Sequence, residues 1–118
     1  MKYLLAKEIL EAIEAVGFSV QQNSDYIFLQ TFSPAGQDCN LIFDKDECRD
    51  FDAFADEIYD RYENYDVSTE TMLWLDSEGH GKNGAPYEMK VILKDMEWFE
   101  NKLFELYRAV KGVIANAV

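Results

Sequence analysis

Between Asp44 and Asp66 the chain carries ten carboxylates, on Asp44, Asp46, Glu47, Asp50, Asp52, Asp56, Glu57, Asp60, Glu63 and Asp66. Only Lys45, Arg49 and Arg61 oppose them. Carboxylates can act as a general acid and base, ligate a hard cation, or meet a positively charged surface. Asp44, Asp46 and Asp50 come nearest to a calcium loop, but the essential glycine and the terminal bidentate glutamate are absent in register. No metal set and no catalytic set emerges. Contact with a basic surface remains, against the ordinary fate of a charge run as a solvated helix face. Like charges at i,i+4, such as Asp52–Asp56 and Asp56–Asp60, each cost a few tenths of a kcal/mol, roughly. Accepting that cost suggests a use. The expected contact residues are Asp46, Asp50, Asp52, Asp56, Glu57, Asp60 and Glu63, with Tyr59. Carboxylates spaced along a helix imitate a row of phosphates, and Tyr59, Tyr62 and Tyr65 add rigid hydrogen-bonding area.

Other chemistry is thinner. Gly79-x-Gly81-x-x-Gly84 has the form of a dinucleotide fingerprint, but a helix-like segment precedes it and no βαβ unit surrounds it. It reads as an interhelical loop, with Lys82 placed to hold at most an isolated anion near the next helix. His80 is the sole histidine, and nothing pairs it with a nucleophile. Cys39 and Cys48 read as reduced thiols, one of them buried. Zinc is not expected, because there is no Cys-x-x-Cys. No cofactor is implied.

The 118 residues hold 23 acids and 11 basic side chains, a formal charge of −12, with 48% apolar residues. That apolar content supports a core in one domain spanning residues 1–118. The charge repels nucleic-acid phosphates and anionic lipid, so neither is an expected partner. A basic protein surface is. The apolar run at Tyr3–Ala6 is broken by Lys7 and Glu8, and no run reaches membrane-spanning length, so the expected compartment is the cytoplasm.

Patterning places these residues on elements. Leu5, Ile9, Ala12, Ile13 and Val16 recur at helical spacing over residues 3–16, and Gly17 follows as a left-handed cap. Phe18–Gln22, Tyr26–Phe32 and Cys39–Asp44 alternate as strands. Asn23-Ser24-Asp25 and Ser33-Pro34-Ala35-Gly36 form the turns of an antiparallel meander. Both faces of the Tyr26–Phe32 strand read as partly buried. Glu47–Glu63 is a second helix, buried through Phe51, Phe54, Ala55, Ile58 and Tyr62 and capped by Asp44 or Asp46. Asp66 caps a third helix, Val67–Asp76, with Met72, Leu73 and Leu75 partly inward. Pro86 opens a fourth, ending near Gly112. The predicted fold is α+β: an N-terminal helix, a three-stranded antiparallel meander, then three helices packed on the sheet.

Three segments carry a resemblance: Phe32-Ser33-Pro34-Ala35-Gly36-Gln37-Asp38, Asn64-Tyr65-Asp66-Val67 running on to Trp74-Leu75, and Gly84-Ala85-Pro86. Together they resemble small acidic, mostly uncharacterised proteins of bacterial prophages and conjugative elements. The resemblance covers most of the chain, and its motifs mark turns, caps and a helix start. It implies kinship and no catalytic residue. By analogy with other products of mobile elements, it implies an anti-defence role of the anti-CRISPR kind. The expected function is a non-enzymatic acidic interaction protein, a DNA mimic directed at a nuclease or DNA-binding protein. The alternatives are an accessory protein that forms a homodimer through Phe99, Leu103, Leu106 and Val110, or a small enzyme using the Gly79–Gly84 loop.

Overall fold

The computed structural model describes residues 5–76 and 88–116. Helix α1 spans Lys7–Val16 and buries Ile9 and Ile13. It stops at Gly17, where φ is 117° and the backbone N–H donates to the Glu14 carbonyl at 3.0 Å. That left-handed geometry is open to glycine at little steric cost. The Lys102 ammonium donates to the Val16 carbonyl at 2.8 Å, placing a cation at the negative end of the helix.

Strands β1 (Ser19–Gln22), β2 (Tyr26–Phe32) and β3 (Asp38–Asp44) form an antiparallel sheet in sequence order. Val20 lies opposite Leu29, and Leu29 opposite Leu41. Asn23 shapes the first turn, its Oδ1 accepting from the Asp25 and Tyr26 N–H groups at 2.7 and 2.8 Å. Pro34 holds the second position of the next turn, which closes through Gly36 N–H donating to the Ser33 carbonyl at 2.9 Å. Proline pre-sets the φ that this position requires.

A buried carboxylate ties that second turn to the far end of the chain. Asp95 is 3% exposed. It accepts from the Ser33 hydroxyl at 2.6 Å, from the Ala35 N–H at 3.3 Å and from Gln37 Nε2 at 3.4 Å. The Ser33 oxygen in turn accepts from the Gln37 N–H at 2.9 Å.

One face of β2 is fully buried and the other only partly. Ile27, Leu29 and Thr31 point into the core, while Tyr26 and Phe32 stand about half exposed. The second face is partly buried as expected of a central strand, with Phe28 and Gln30 half-buried. Aromatic density in Tyr26–Phe32 signalled β structure, but the helices cover a single side.

Helices α2 (Phe51–Glu63), α3 (Val67–Asp76) and α4 (Met89–Asn116) follow the sheet. The α4 helix touches each of the other three helices. Its Phe99, Leu103, Leu106 and Val110 join Ile9, Ile13, Ile27, Leu29, Phe43, Phe54 and Ile58 in one core. The expected homodimer seam is therefore packed inside the molecule. Helix α4 also runs past Gly112 to Asn116. Two further expectations shift. Helix α2 starts at Phe51, because the Asp44 carbonyl takes the Glu47 and Cys48 N–H groups at 3.0 Å in a separate turn. Its cap is Asp50, whose Oδ1 accepts from Ala53 N–H at 2.8 Å. On α3, Met72 and Leu73 face outward and Thr71 is buried, while the side chain of Leu75 lies outside those described. Asp66 does cap α3, accepting from Thr69 N–H at 3.1 Å. The Gly79–Gly84 loop, His80, Lys82 and Pro86 lie outside the described residues. Among the described residues no helix is long and apolar enough to cross a membrane.

Candidate acidic interaction surface

The local sequence of α2 puts its apolar and acidic residues on opposite sides. At about 100° per residue, Phe51, Phe54, Ala55, Ile58 and Tyr62 share one arc. Phe54, Ala55 and Ile58 are fully buried there. Asp52, Asp56, Asp60 and Glu63 fall within about 80° of one another on the opposite arc, and all four are exposed. At about 1.5 Å per residue the row is some 16 Å long, with a carboxylate roughly every 5 Å. One strand of duplex DNA carries a charge about every 3.4 Å along the axis. The axial charge density of the row is thus lower than that of a single phosphate strand.

Two of the three cations of this segment are turned away from the row. Lys45 is 2% exposed and points inward, where its ammonium donates to Gln22 Oε1 at 3.2 Å. The same oxygen accepts from the Leu5 N–H at 3.2 Å. Arg61 lies over the ring of Phe43, 4.8 Å from its centroid, and donates to the Ile42 carbonyl at 2.7 Å. Of the three cations between Asp44 and Asp66, Arg49 alone is exposed. Sequence counting set all three against the ten acids. Geometry removes two of them from the solvent side, so the acidic surface is less compensated than composition implies.

An aromatic cluster borders the row. Tyr59 packs on Tyr107 with ring centroids 4.9 Å apart, and Tyr62 packs on Phe104 at 5.0 Å. Tyr59 and Tyr62 are themselves 6.0 Å apart. Such pairs contribute about 0.5–1.5 kcal/mol each beyond their burial. The cluster joins α2 to α4, yet Tyr59 stays 38% exposed and Phe104 37%. Phe104 and Tyr107 escaped the sequence reading because they stand more than forty positions away. Their i,i+3 spacing on α4 was the available signal.

No family model matches the chain, and neither the curated proteins nor the solved structures contain a match. Function must be read from the surfaces of this molecule.

The expected contact residues divide into three groups. Asp52, Asp56, Tyr59, Asp60 and Glu63 lie together along the exposed side of α2. Glu57 sits half-buried on its flank. Asp46 and Asp50 fall before the helix. The Asp46 N–H donates to Asp44 Oδ1 at 2.8 Å, and Asp50 serves as the cap. Asp60 also accepts from Asn64 Nδ2 at 2.9 Å.

Both cysteines are buried free thiols. Burial first, and then the charges of Asp95 and Asp38, push the Cys39 thiol up to about 12. Burial and then chiefly Glu57 push Cys48 up to about 11. Neither is a nucleophile near neutral pH, because the thiolate is the reactive form. A row of solvent-facing carboxylates accepts hydrogen bonds and attracts cations.

Proposed function

We propose that this chain is a non-enzymatic interaction protein that docks the acidic side of α2 onto a basic surface of another protein. The observation that carries this reading is the row Asp52, Asp56, Asp60 and Glu63, exposed on one arc while Lys45 and Arg61 are committed to the interior and to Phe43. A basic groove built for a phosphate backbone offers arginine and lysine at complementary spacing, and arginine pairs well with carboxylates. Tyr59 and Phe104 add exposed aromatic faces beside the row, the side-chain type most enriched at binding hot spots. The partner class is a nuclease or DNA-binding protein, and the mode is competition with its nucleic acid.

The test is capture from host extract at low salt, followed by titration of the purified partner against duplex DNA. The wild-type chain should displace DNA near stoichiometrically, with affinity falling as salt rises. A chain that binds without displacing DNA, or whose binding ignores salt, contradicts the proposal.

A further inference from the structure

A cavity of about 280 Å³ lies between β3, α3 and α4, away from the acidic row. Its floor is Cys39, Met96 and Phe99, all buried. Tyr65 and Trp74 wall it, both half-buried. Asp38 and Glu70 supply carboxylates at its half-exposed rim. The Tyr65 ring is held from two sides. It meets Phe99 edge to face, with centroids 5.5 Å apart and planes at 75°, and its hydroxyl donates to the Met96 sulfur at 3.1 Å.

The chemistry is graded from floor to rim. The accessible lining is more polar than apolar, Asn40 included, and the small apolar floor leaves room for the last methylenes of an alkyl stem. Aromatic walls attract a cation through the negative faces of their rings. Carboxylates at the mouth accept its hydrogen bonds. The volume falls just below the range of ligand pockets, which run from about 300 Å³ upward, so the occupant is a small group such as one side chain. A guanidinium fits this better than an ammonium. It is planar, weakly hydrated, stacks on aromatic faces and pairs with carboxylates in a fork.

We propose that this cavity, with Trp74 and Tyr65 as its walls and Glu70 at its rim, binds an alkyl-guanidinium group. The local field agrees. After burial, the influences that raise the Tyr65 hydroxyl are Glu70, Cys39 and Glu100. The thiol on the floor stays protonated and neutral at physiological pH. The site is independent of the acidic row on α2, and either can fail without the other.

The probe is Nα-acetylarginine amide (arginine amide below), with the Nα-acetylated citrulline amide as its uncharged isostere and the Nα-acetylated lysine amide as the compact cation. Binding is followed by the Trp74 indole N–H resonance of the full chain. Arginine amide should saturate, lysine amide should bind more weakly, and citrulline amide should not bind. Glu70→Gln should weaken arginine amide about tenfold, a typical loss for one charged hydrogen-bond partner. Glu70→Lys should abolish binding by placing a cation at the rim. Both variants alter a side chain outside the core, and amide dispersion in the same spectra verifies their fold. An arginine-centred tetrapeptide that binds at least about tenfold tighter than arginine amide assigns the source to a protein partner. Equal affinity assigns it to a free small molecule. Absence of saturation by arginine amide, or equal binding by Glu70→Gln, overturns the proposal.

Discussion

The guanidinium of Arg61 sits 4.8 Å from the centroid of the Phe43 ring and donates to the carbonyl of Ile42, the next residue back along β3. This contact fastens α2 to the sheet edge and, in the same step, withdraws a positive charge from the acidic side of the helix. Arg61→Ala should cost about 1–2 kcal/mol, the sum of a partly exposed cation–π contact and one charge-assisted hydrogen bond. Partner affinity should stay the same or rise. Urea unfolding paired with titration of the partner checks both halves.

Asp56 lies between Asp52 and Asp60 at i,i+4 on either side. Asp56→Lys converts two repulsive pairs into two attractive ones. Each pair changes by a few tenths of a kcal/mol in each direction, so stability should rise by roughly 1 kcal/mol. Partner binding should weaken at the same time. A variant that folds better and binds worse is the signature of a charge retained for contact. Thermal unfolding and the partner titration measure the two effects.

Asp95 is the buried anchor of the Ser33–Gln37 turn. Asp95→Ala leaves the Ser33 hydroxyl and the Gln37 amide without their acceptor in a closed site. The expected loss is about 3 kcal/mol. For a domain of this size that lowers the melting temperature by roughly 10–20 °C. Asp95→Asn keeps the shape and one acceptor oxygen, and should lose less. Calorimetry of both variants distinguishes an anchor from a passenger.

The Cys39 thiol predicts an alkaline limit. Its folded value of about 12 lies above the ordinary 9.0, so the native state holds the proton more tightly than the unfolded chain does. The corresponding stability is complete below about pH 9 and is lost as pH rises toward 12. Urea midpoints measured from pH 7 to about 10.5 should fall above pH 9. Cys39→Ala should make that decline shallower without abolishing it, because the buried Cys48 thiol, raised to about 11, contributes over the same range.

Much of the fold was legible. The limits of β2 and α3 follow from alternation and from the Asp66 cap, and Gly17 ends α1 where a left-handed residue was expected. These features depend on neighbours within a few positions. The unreadable features depend on distance. Nothing near Lys45 announces that its ammonium turns inward to Gln22, twenty-three residues back. Asp95 and Ser33 are sixty-two residues apart, so no local pattern marks this acid, in the second turn of α4, as a buried one. The α2 cap was misplaced because three aspartates, Asp44, Asp46 and Asp50, each suit a cap. Only the Asp44 turn decides among them. The acidic side was legible as charge, while its shape was not. Helical phase selects Asp52, Asp56, Asp60 and Glu63, and leaves Asp46 and Asp50 to the backbone.

The most direct measurement compares two variants of equal net charge. One carries Asp52→Lys, Asp56→Lys and Asp60→Lys on α2. The other carries Glu8→Lys, Glu11→Lys and Glu14→Lys on the exposed side of α1. Each is titrated against the captured basic partner in competition with duplex DNA. If the α2 row is the contact, the first variant loses binding while remaining folded, and the second displaces DNA nearly as well as wild type. Equal loss in both would reduce the effect to net charge, and retention of binding by the α2 variant would contradict the account.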